Sequence, residues 1–298
     1  MILITGGTGY IGKNIAFYFL LRGELVFLID NFSNSSPSSY NALSALMKSH
    51  RIPESNLHIF IMDLSCKKDV SNWLEFNYPL VRRTYNLPPI KAIIHCAGLK
   101  SVPESVNNPY EYYRNNINSS LNVIYISKSL SNIPIIFSSS VTVHGNTTSI
   151  FNEHTKCDLQ TITSPYGKTK FMIEEMLKDE SATLKTICLR YFNPIGCYPT
   201  LDEEITEKST NIIPCLVKSI RNKTSFKVYG NDYSTRDGTC IRDYIDVRDL
   251  AEAHYKAFKY ATENKGSNFE IFNLGTKNGT SVRELLHAFE KVKGIKIN

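Results

Sequence analysis

The feature that most constrains the fold is a run of glycines near the start of the chain. The apolar stretch Ile2-Leu3-Ile4 precedes the run, and an apolar helix is predicted from about Ile11 to Leu21. The glycines have the G-x-G-x-x-G spacing and a second G-x-x-G-x-x-G spacing: Gly6, Gly7, Gly9 and Gly12. Without Cβ atoms the backbone can approach a pyrophosphate, which then sits at the helix N-terminus. Strand, glycine turn and helix in this order predict a dinucleotide site; a simple tight turn is the alternative.

The residue that ends the second predicted strand indicates which dinucleotide binds, NAD or NADP. The run Leu25-Val26-Phe27-Leu28-Ile29 is continuously apolar and ends at Asp30. An acid at this position accepts hydrogen bonds from both ribose hydroxyls and repels the 2′-phosphate of NADP. No arginine follows it in Asn31-Phe32-Ser33. We therefore predict that the cofactor is NAD.

The rest of the chain alternates strands and helices without hairpin signals. Apolar strands are predicted at 57–62, 91–95 and 134–137, with a long helix at about 110–130 and a polar loop with a short helix at 33–56. This alternation is typical of a doubly wound parallel sheet. The predicted fold is α/β: a doubly wound parallel Rossmann-type sheet in residues 1–189 and a smaller C-terminal α/β substrate-binding region in residues 190–298.

The ends of the third and fourth strands offer further cofactor contacts. Asp63 follows the third strand, where it can touch the adenine or instead cap a helix. After the fourth strand, the small Ala97 lets the backbone run beneath the cofactor, and Lys100 can reach its phosphates or ribose. His95, inside that strand, is expected to be packed or hydrogen-bonded in the sheet rather than catalytic.

A tyrosine and a lysine four residues apart, Tyr166 and Lys170, point to the chemistry. On a helix they share one face, where the ammonium can favour the ionised phenol. Alone the spacing is weak, because an exposed helix face explains it as well. Ser140 strengthens it, since ligands bind at the carboxyl ends of parallel strands and its hydroxyl would face the same crevice. We choose Ser140 over its neighbours Ser138 and Ser139 because it lies farthest out. Tyr166 is then the predicted base for an alcohol proton.

Charge, apolar stretches and cysteine spacing limit the kinds of partner that the chain can bind. The 298 residues carry a formal net charge of +6 without long basic runs, which argues against a nucleic-acid surface but suits an anionic substrate. No apolar stretch reaches the length of a membrane span, and the seven cysteines include no Cys-x-x-Cys pair. We expect a cytoplasmic protein with reduced cysteines, no metal site, and neither a membrane nor a nucleic acid as partner.

Several motifs together resemble one known family. They are Gly6 to Gly12, Asp30-Asn31, Ala97 to Lys100, Ser138 to Ser140, Ser164 to Lys170, Arg190 to Gly196, Tyr229 to Tyr233, Asp237 to Tyr244 and Ile271 to Gly275. The first five resemble the extended short-chain dehydrogenase/reductase family, and the later ones resemble its UDP-glucose 4-epimerases. The resemblance spans almost the whole chain.

The resemblance implies roles for individual residues. The family's catalytic base corresponds to Tyr166, its catalytic lysine to Lys170 and its catalytic serine to Ser140. All three are also implied NAD contacts, and Tyr166 and Ser140 are implied contacts of the sugar. The other implied NAD contacts are Tyr10, Ile11, Asp30, Asn31, Asp63, Leu64, Lys100, Asn115 and Phe192. The implied nucleotide-sugar contacts are Asn193, Asn211, Tyr229 and Arg242. A guanidinium also suits a diphosphate on chemical grounds. Loop capping for Asn193 and a surface ion pair for Arg242 are the alternatives.

The reaction that the resemblance implies is reversible C4 epimerisation of UDP-glucose and UDP-galactose, through a 4-keto sugar and with tightly bound NAD. It also implies a homodimer through the helices at 110–130 and 166–177. His144 stands where the family usually has a tyrosine. The sequence ends at Asn298, before a family stretch whose arginine and aspartate hold UDP, so we expect a weaker grip on the substrate.

Two other functions compete with this one. A nucleotide-sugar 4,6-dehydratase needs an acid just after Ser140, where this chain has Val141 and Thr142. A non-catalytic NAD-binding protein, or a catalytically impaired fragment, is the other alternative. It would have no need of the serine, tyrosine and lysine together.

Overall fold

The computed structural model describes residues 1–145, 152–205, 209–263 and 266–297. Its strands are β1 (Ile2–Thr5), β2 (Val26–Asp30), β3 (Leu57–Ile61), β4 (Ala92–His95), β5 (Ile135–Ser140), β6 (Thr186–Tyr191), β7 (Asn193–Ile195), β8 (Ile241–Asp246), β9 (Phe269–Leu274) and β10 (Gly279–Ser281). Its α-helices are α1 (Tyr10–Leu21), α2 (Pro37–Ser49), α3 (Lys67–Asn72), α4 (Tyr78–Thr84), α5 (Val102–Asn107), α6 (Pro109–Ser129), α7 (Pro165–Asp179), α8 (Ile212–Arg221), α9 (Val247–Thr262) and α10 (Val282–Lys293).

The main sheet has the strand order β3-β2-β1-β4-β5-β6-β9, and every neighbouring pair is parallel. The chain starts at β1 in the interior, winds outward to β3, and then crosses to β4 and winds the other way. This reversal leaves a crevice at the carboxyl ends of β1 and β4. The predicted doubly wound α/β fold is confirmed.

The continuous apolar strands are explained by burial on both faces of the sheet. Side chains alternate along a strand, so Ile2 and Ile4 pack on one face and Leu3 on the other. On the first face α1 and α9 contribute Phe19 and Phe258 to the core. The second core is built by other helices and includes Trp73, Ile126, Ile173 and Leu177.

The later chain builds a second, three-stranded sheet in the order β10-β8-β7. β7 runs parallel to β8, and β10 pairs with β8 antiparallel. The chain also returns to the main sheet, where β9 pairs with β6 and α9 packs on α1, with the rings of Phe19 and Tyr255 5.2 Å apart. The predicted boundary after residue 189 falls inside β6, and the division into residues 1–189 and 190–298 stays a prediction about which region serves which ligand.

Two elements are longer than the sequence suggested. The short helix expected in 33–56 is the 13-residue α2, which begins at Pro37 and buries Leu43, Leu46 and Met47 on one stripe. β5 continues through Ser140 because Ser138 to Ser140 pair in register with Leu189 to Tyr191 of β6. Among the described residues, no helix has the length and apolar character needed to cross a membrane.

Candidate active site

A cavity of about 540 Å³ lies at the carboxyl ends of the parallel strands. The predicted cofactor residues that line it are Gly6, Gly9, Tyr10, Ile11, Gly12, Asp30, Asn31, Asp63, Leu64, Ala97, Lys100, Asn115, Tyr166 and Lys170. Gly7, Ser140 and Phe192 lie outside this lining. Gly7 packs on β2, where an added Cβ would come within 2.6 Å of Leu28 Cδ2. The Phe192 N–H donates to the Leu274 carbonyl at the edge of the sheet.

The glycine turn forms a cradle that other residues would fill. Gly6 has a φ of +65°, in the left-handed region that favours glycine. A Cβ on Gly12 would lie 2.1 Å from the Gly6 carbonyl oxygen, so only glycine lets α1 start this close to the turn. The open backbone at the N-terminus of α1 fits the pyrophosphate of a dinucleotide.

Asp30 is fixed at the end of β2 by the backbone. Its Oδ2 accepts the Thr8 N–H at 3.0 Å and its Oδ1 accepts the Phe32 N–H at 2.9 Å. A carboxylate has about four acceptor positions, so lone pairs remain for two ribose hydroxyls. Together with the glycine cradle, this acid fits NAD.

The other strand ends hold polar groups in defined local contacts. Asp63 Oδ1 accepts the Ser65 N–H at 2.8 Å, while the N-cap position of α3 belongs to Cys66, so Asp63 does not cap a helix. Lys100 forms an ion pair with Glu203 across the cavity. His95 is bound at both ring nitrogens, by the Thr5 and Ser120 hydroxyls at 2.8 and 3.0 Å, and burial lowers its pKa to about 3. It is a packed sheet residue, as predicted.

The start of α7 brings the predicted catalytic side chains together. Ser164 caps the helix by accepting the Gly167 N–H at 3.1 Å, and Pro165 follows at the first helical position. Tyr166 then lies in the first turn, with its phenol beside the Ser140 hydroxyl. The Lys170 ammonium donates to the Ser138 carbonyl at 2.7 Å and lies 5.8 Å from the centre of the Tyr166 ring.

Burial dominates the electrostatics of the Tyr166 and Lys170 pair. Burial raises the pKa of Tyr166 to about 12, and the Ser140 hydrogen bond opposes that rise only in part. Burial also lowers the pKa of Lys170 to about 8. The Lys170 ammonium lies close to the phenol, as the helical spacing predicted, but burial of the phenol opposes its ionisation.

Of the four predicted nucleotide-sugar contacts of the later chain, three are engaged in separate local interactions and the fourth is exposed. The Asn193 amide donates to the Asp243 carbonyl at 2.9 Å, between β7 and β8. The Asn211 amide donates to both carboxylate oxygens of Glu203 at 2.9 Å. Arg242 Nη1 donates to the Ile241 carbonyl at 2.8 Å, and Tyr229 is 83% exposed. None of the four belongs to the cavity lining.

Comparison with known proteins decides the family. Residues 2–275 match the NAD dependent epimerase/dehydratase family. The chain belongs to this family. It is 39% identical to the UDP-glucose 4-epimerase of Yersinia enterocolitica over 98% of this chain and 82% of that one. It is 36% identical to UDP-glucose 4-epimerase 2 of Oryza sativa subsp. japonica over 99% of this chain and 70% of that one.

Solved structures agree with this membership of the epimerase/dehydratase family. The chain superposes on the UDP-glucose 4-epimerase of Bifidobacterium longum in complex with NAD+ and UDP with a TM-score of 0.84, at 33% identity over 99% of this chain and 84% of that one. The enzyme of Stenotrophomonas maltophila, with bound NAD and formylated UDP-arabinopyranose, gives 0.85 at 30% identity over the same shares. Membership of this family confirms the predicted resemblance and the predicted NAD cofactor.

Sequence reasoning missed several residues of the site in this epimerase/dehydratase chain. Tyr191 lines the cavity, and its hydroxyl contacts Ser138 Oγ at 2.7 Å and His254 Nε2 at 2.5 Å. Its position beside Phe192 in the Arg190 to Gly196 motif was the available signal. Glu203 and Glu204 also line the cavity. They stand in a polar loop without a motif, so only the folded chain reveals them.

Proposed function

We propose that this chain interconverts UDP-glucose and UDP-galactose by reversible epimerisation at C4 of the sugar, in the cytoplasm. The observation that carries the proposal is the contact between the Tyr166 phenol and the Ser140 hydroxyl beside a cavity shaped for NAD. The similarity to UDP-glucose 4-epimerases over nearly the whole chain supports the choice of substrate.

Tyr166 and Ser140 handle the proton of the 4-hydroxyl. As that hydroxyl becomes a ketone, its proton passes to the Tyr166 oxygen, and it returns from there when the alcohol re-forms. The Ser140 hydroxyl binds the same sugar oxygen and orients it. Its Oγ is itself held by the Thr142 N–H and hydroxyl at 3.2 and 3.0 Å, so the serine is aimed in advance.

Bound NAD supplies a reversible hydride acceptor and a positive charge, so the reaction needs no second substrate and has no net oxidation. The protein must therefore retain its cofactor. The glycine cradle, Asp30 and Lys100 are the residues that would hold it.

The Lys170 ammonium, held in a fixed position, stabilises the negative charge of the Tyr166 phenolate. One of its three N–H groups donates to the Ser138 carbonyl, which leaves two for the nicotinamide ribose. With a pKa of about 8 the amine is mostly protonated at pH 7. Since burial raises the pKa of Tyr166 to about 12 and the Ser140 hydroxyl offsets that rise only in part, a phenolate base requires further positive charge, which bound NAD would supply beside the Lys170 ammonium.

We assign the diphosphate and uridine to residues of the second sheet, of the N-cap of α8 and of the loop between α8 and β8. Arg242 on β8 is exposed and can turn from the Ile241 carbonyl to a diphosphate, to which a guanidinium binds in a bidentate manner. Asn193, Asn211 and Tyr229 complete the proposed set, with amide and phenol groups for the phosphates, sugar hydroxyls and uracil.

We also propose that two copies of the chain form a homodimer through α6 and α7. Tyr110, Leu121 and Tyr125 lie on one stripe of α6 and are exposed by 72%, 49% and 37%. An apolar stripe on an amphipathic helix suits helix-to-helix packing. Sedimentation velocity should give twice the chain mass, and Leu121→Lys should shift the distribution toward the monomer.

The decisive test incubates the purified protein with UDP-galactose alone and then separates UDP-galactose from UDP-glucose by chromatography. We expect conversion in both directions to the same equilibrium mixture, without added NAD. A 4-keto-6-deoxy sugar as product would point to a dehydratase. Calorimetric binding of NAD with no turnover of either UDP-sugar would point to a non-catalytic NAD-binding protein.

A further inference from the structure

The catalytic helix α7 carries a third polar residue on the face of Tyr166 and Lys170. Glu174 follows Lys170 by four residues, so the three side chains occupy one stripe. Each meets a different one of the three serines that end β5. Tyr166 contacts Ser140, Lys170 donates to the Ser138 carbonyl, and the Ser139 hydroxyl donates to Glu174 Oε1 at 2.5 Å.

Glu174 is also tied to the next strand of the sheet. Arg190 of β6 donates from Nε to Glu174 Oε1 at 3.0 Å and from Nη2 to Oε2 at 2.6 Å. Both residues are buried, with exposures of 2% and 3%. The remaining Arg190 nitrogen, Nη1, faces His144 Nε2 at 3.3 Å. A buried pair of charges is tolerated only where hydrogen bonds satisfy both groups, as they do here.

His144 fits this arrangement as a neutral acceptor. Burial and the neighbouring Arg190 lower the pKa of its imidazole to about 4, so Nε2 keeps its lone pair for the guanidinium at neutral pH. The ring Nδ1 lies 3.5 Å from Cys157 Sγ. Histidine at this position thus completes a network that joins β5, β6 and α7.

We propose that Glu174 is a positioning residue for the reaction, because it fixes the register of α7 against the serines of β5 through Ser139 and Arg190. Tyr166 and Lys170 lie two turns and one turn earlier on the same helix. A shift of α7 along β5 would change the Tyr166–Ser140 and Lys170–Ser138 contacts together. The role of Glu174 rests on the proposed epimerase function, since the geometry that it fixes is the geometry of that reaction.

The first test removes one hydrogen bond and leaves the ion pair. In Ser139→Ala we expect kcat to fall about threefold to tenfold with KM for UDP-galactose changed less than about twofold, because orientation is lost and substrate contacts are kept. NAD content, measured by absorbance of the heat-released cofactor, should match the wild type. Glu175→Gln is the matched control, since Glu175 is the next residue on α7 and its side chain is 51% exposed. It should leave kcat, KM and NAD content unchanged.

The second test separates positioning from stability. Glu174→Leu leaves Arg190 buried without its carboxylate and should lower the thermal midpoint strongly. The double variant Glu174→Leu/Arg190→Met removes both charges, and its midpoint should recover toward the wild type. We expect its kcat to stay on the order of 10- to 100-fold low, because α7 has lost its anchor.

Two results would overturn the proposal: a wild-type kcat in Ser139→Ala, or a double variant whose kcat recovers along with its stability. Either would show that the network serves folding alone. These results are distinct from failure of the proposed function, in which the wild-type protein itself would not convert UDP-galactose.

Discussion

The two ligand regions of this molecule are built in opposite ways. At the ends of β5 and in α7, polar side chains are desolvated and satisfied by one another, as in the contacts of Lys170 with the Ser138 carbonyl and of Tyr166 with Ser140. On the second sheet and its loops, Arg242 and Tyr229 are exposed, and neither is among the described residues that line the cavity. In the first region, which we call the prepared site, the side chains are in place before the ligand arrives. In the second, which we call the adaptable site, the side chains have to reorient around the ligand. Substitutions in the first should therefore change kcat, and substitutions in the second should change KM.

The largest effect is expected at the prepared site. Tyr166→Phe removes the phenol oxygen that is proposed to hold the transferred proton and keeps the ring, so kcat should fall by about 10²- to 10⁴-fold. KM and NAD content should change little, because the ring still fills its place. Initial rates with UDP-galactose measure this. Tyr85→Phe, at a tyrosine 61% exposed on the far side of β3, is the control. Near-wild-type turnover in Tyr166→Phe would remove this residue from the mechanism.

The next effect, on the pH dependence of stability, tests how completely Lys170 is shielded from water. Burial lowers the pKa of Lys170 from 10.5 to about 8. Between these values the unfolded chain binds more protons than the folded one, so stability rises with pH across this window and is lowest below it. Lys170→Met removes the effect. The stability of the wild type relative to this variant should therefore rise by at most about 3 kcal/mol from pH 8 to pH 10.5.

Urea unfolding of both proteins at several pH values measures that difference. Titrating groups that do not interact with Lys170 are shared by the two proteins and cancel, whereas Cys96 and Cys188, whose pKa values burial raises and the Lys170 ammonium lowers in part, contribute to the difference. A difference that stays constant with pH would mean that water reaches the Lys170 ammonium, and the contrast between the two regions would lose its physical basis.

The sequence predicted the prepared site better than the adaptable one, for a physical reason. Glycine spacing, Asp30 after a strand, and Ser140 with Tyr166 all depend on strand ends and helix periodicity, which are local. The pKa of Tyr166 depends on how completely packing excludes water, and no motif records that. No motif singles out Glu174 in the sequence, and only the approach of Arg190 from another strand makes it part of a buried network.

The substrate-binding residues are placed by contacts between residues that are far apart in the sequence. Glu203 joins the cavity lining through its contacts with Lys100 and Asn211, which lie 103 and 8 residues away along the chain. The resemblance supplied Asn193, Asn211, Tyr229 and Arg242 as candidates, but their orientation depends on these connections and on the ligand. Their roles remain predictions.

A smaller effect, on KM, is expected at Arg242. Arg242→Ala removes the guanidinium from the proposed diphosphate contact, and hydrogen bonds to a charged group contribute about 1.5–3 kcal/mol. KM for UDP-galactose should rise roughly 10- to 100-fold with kcat within about twofold. Arg248→Ala, whose arginine is paired with Asp246 two residues away, is the matched control and should leave KM unchanged. A fall in kcat with unchanged KM would show that Arg242 acts in the reaction step, as the residues of the prepared site are proposed to do, and not in substrate binding.

The smallest effect is expected at Tyr229, where the contrast is sharpest. Its ring is 83% exposed, so Tyr229→Ala removes little packing and should change the free energy of unfolding by no more than about 0.5 kcal/mol. If the ring stacks on uracil in the complex, KM should rise by about fivefold to 100-fold, because a base–aromatic stack contributes about 1–3 kcal/mol. Competition by UMP, which carries the uracil and no hexose, should weaken by the same factor. An unchanged UMP affinity would show that Tyr229 does not contact uracil in the complex, which leaves Asn193, Asn211 and Arg242 as the proposed ligand contacts of this region.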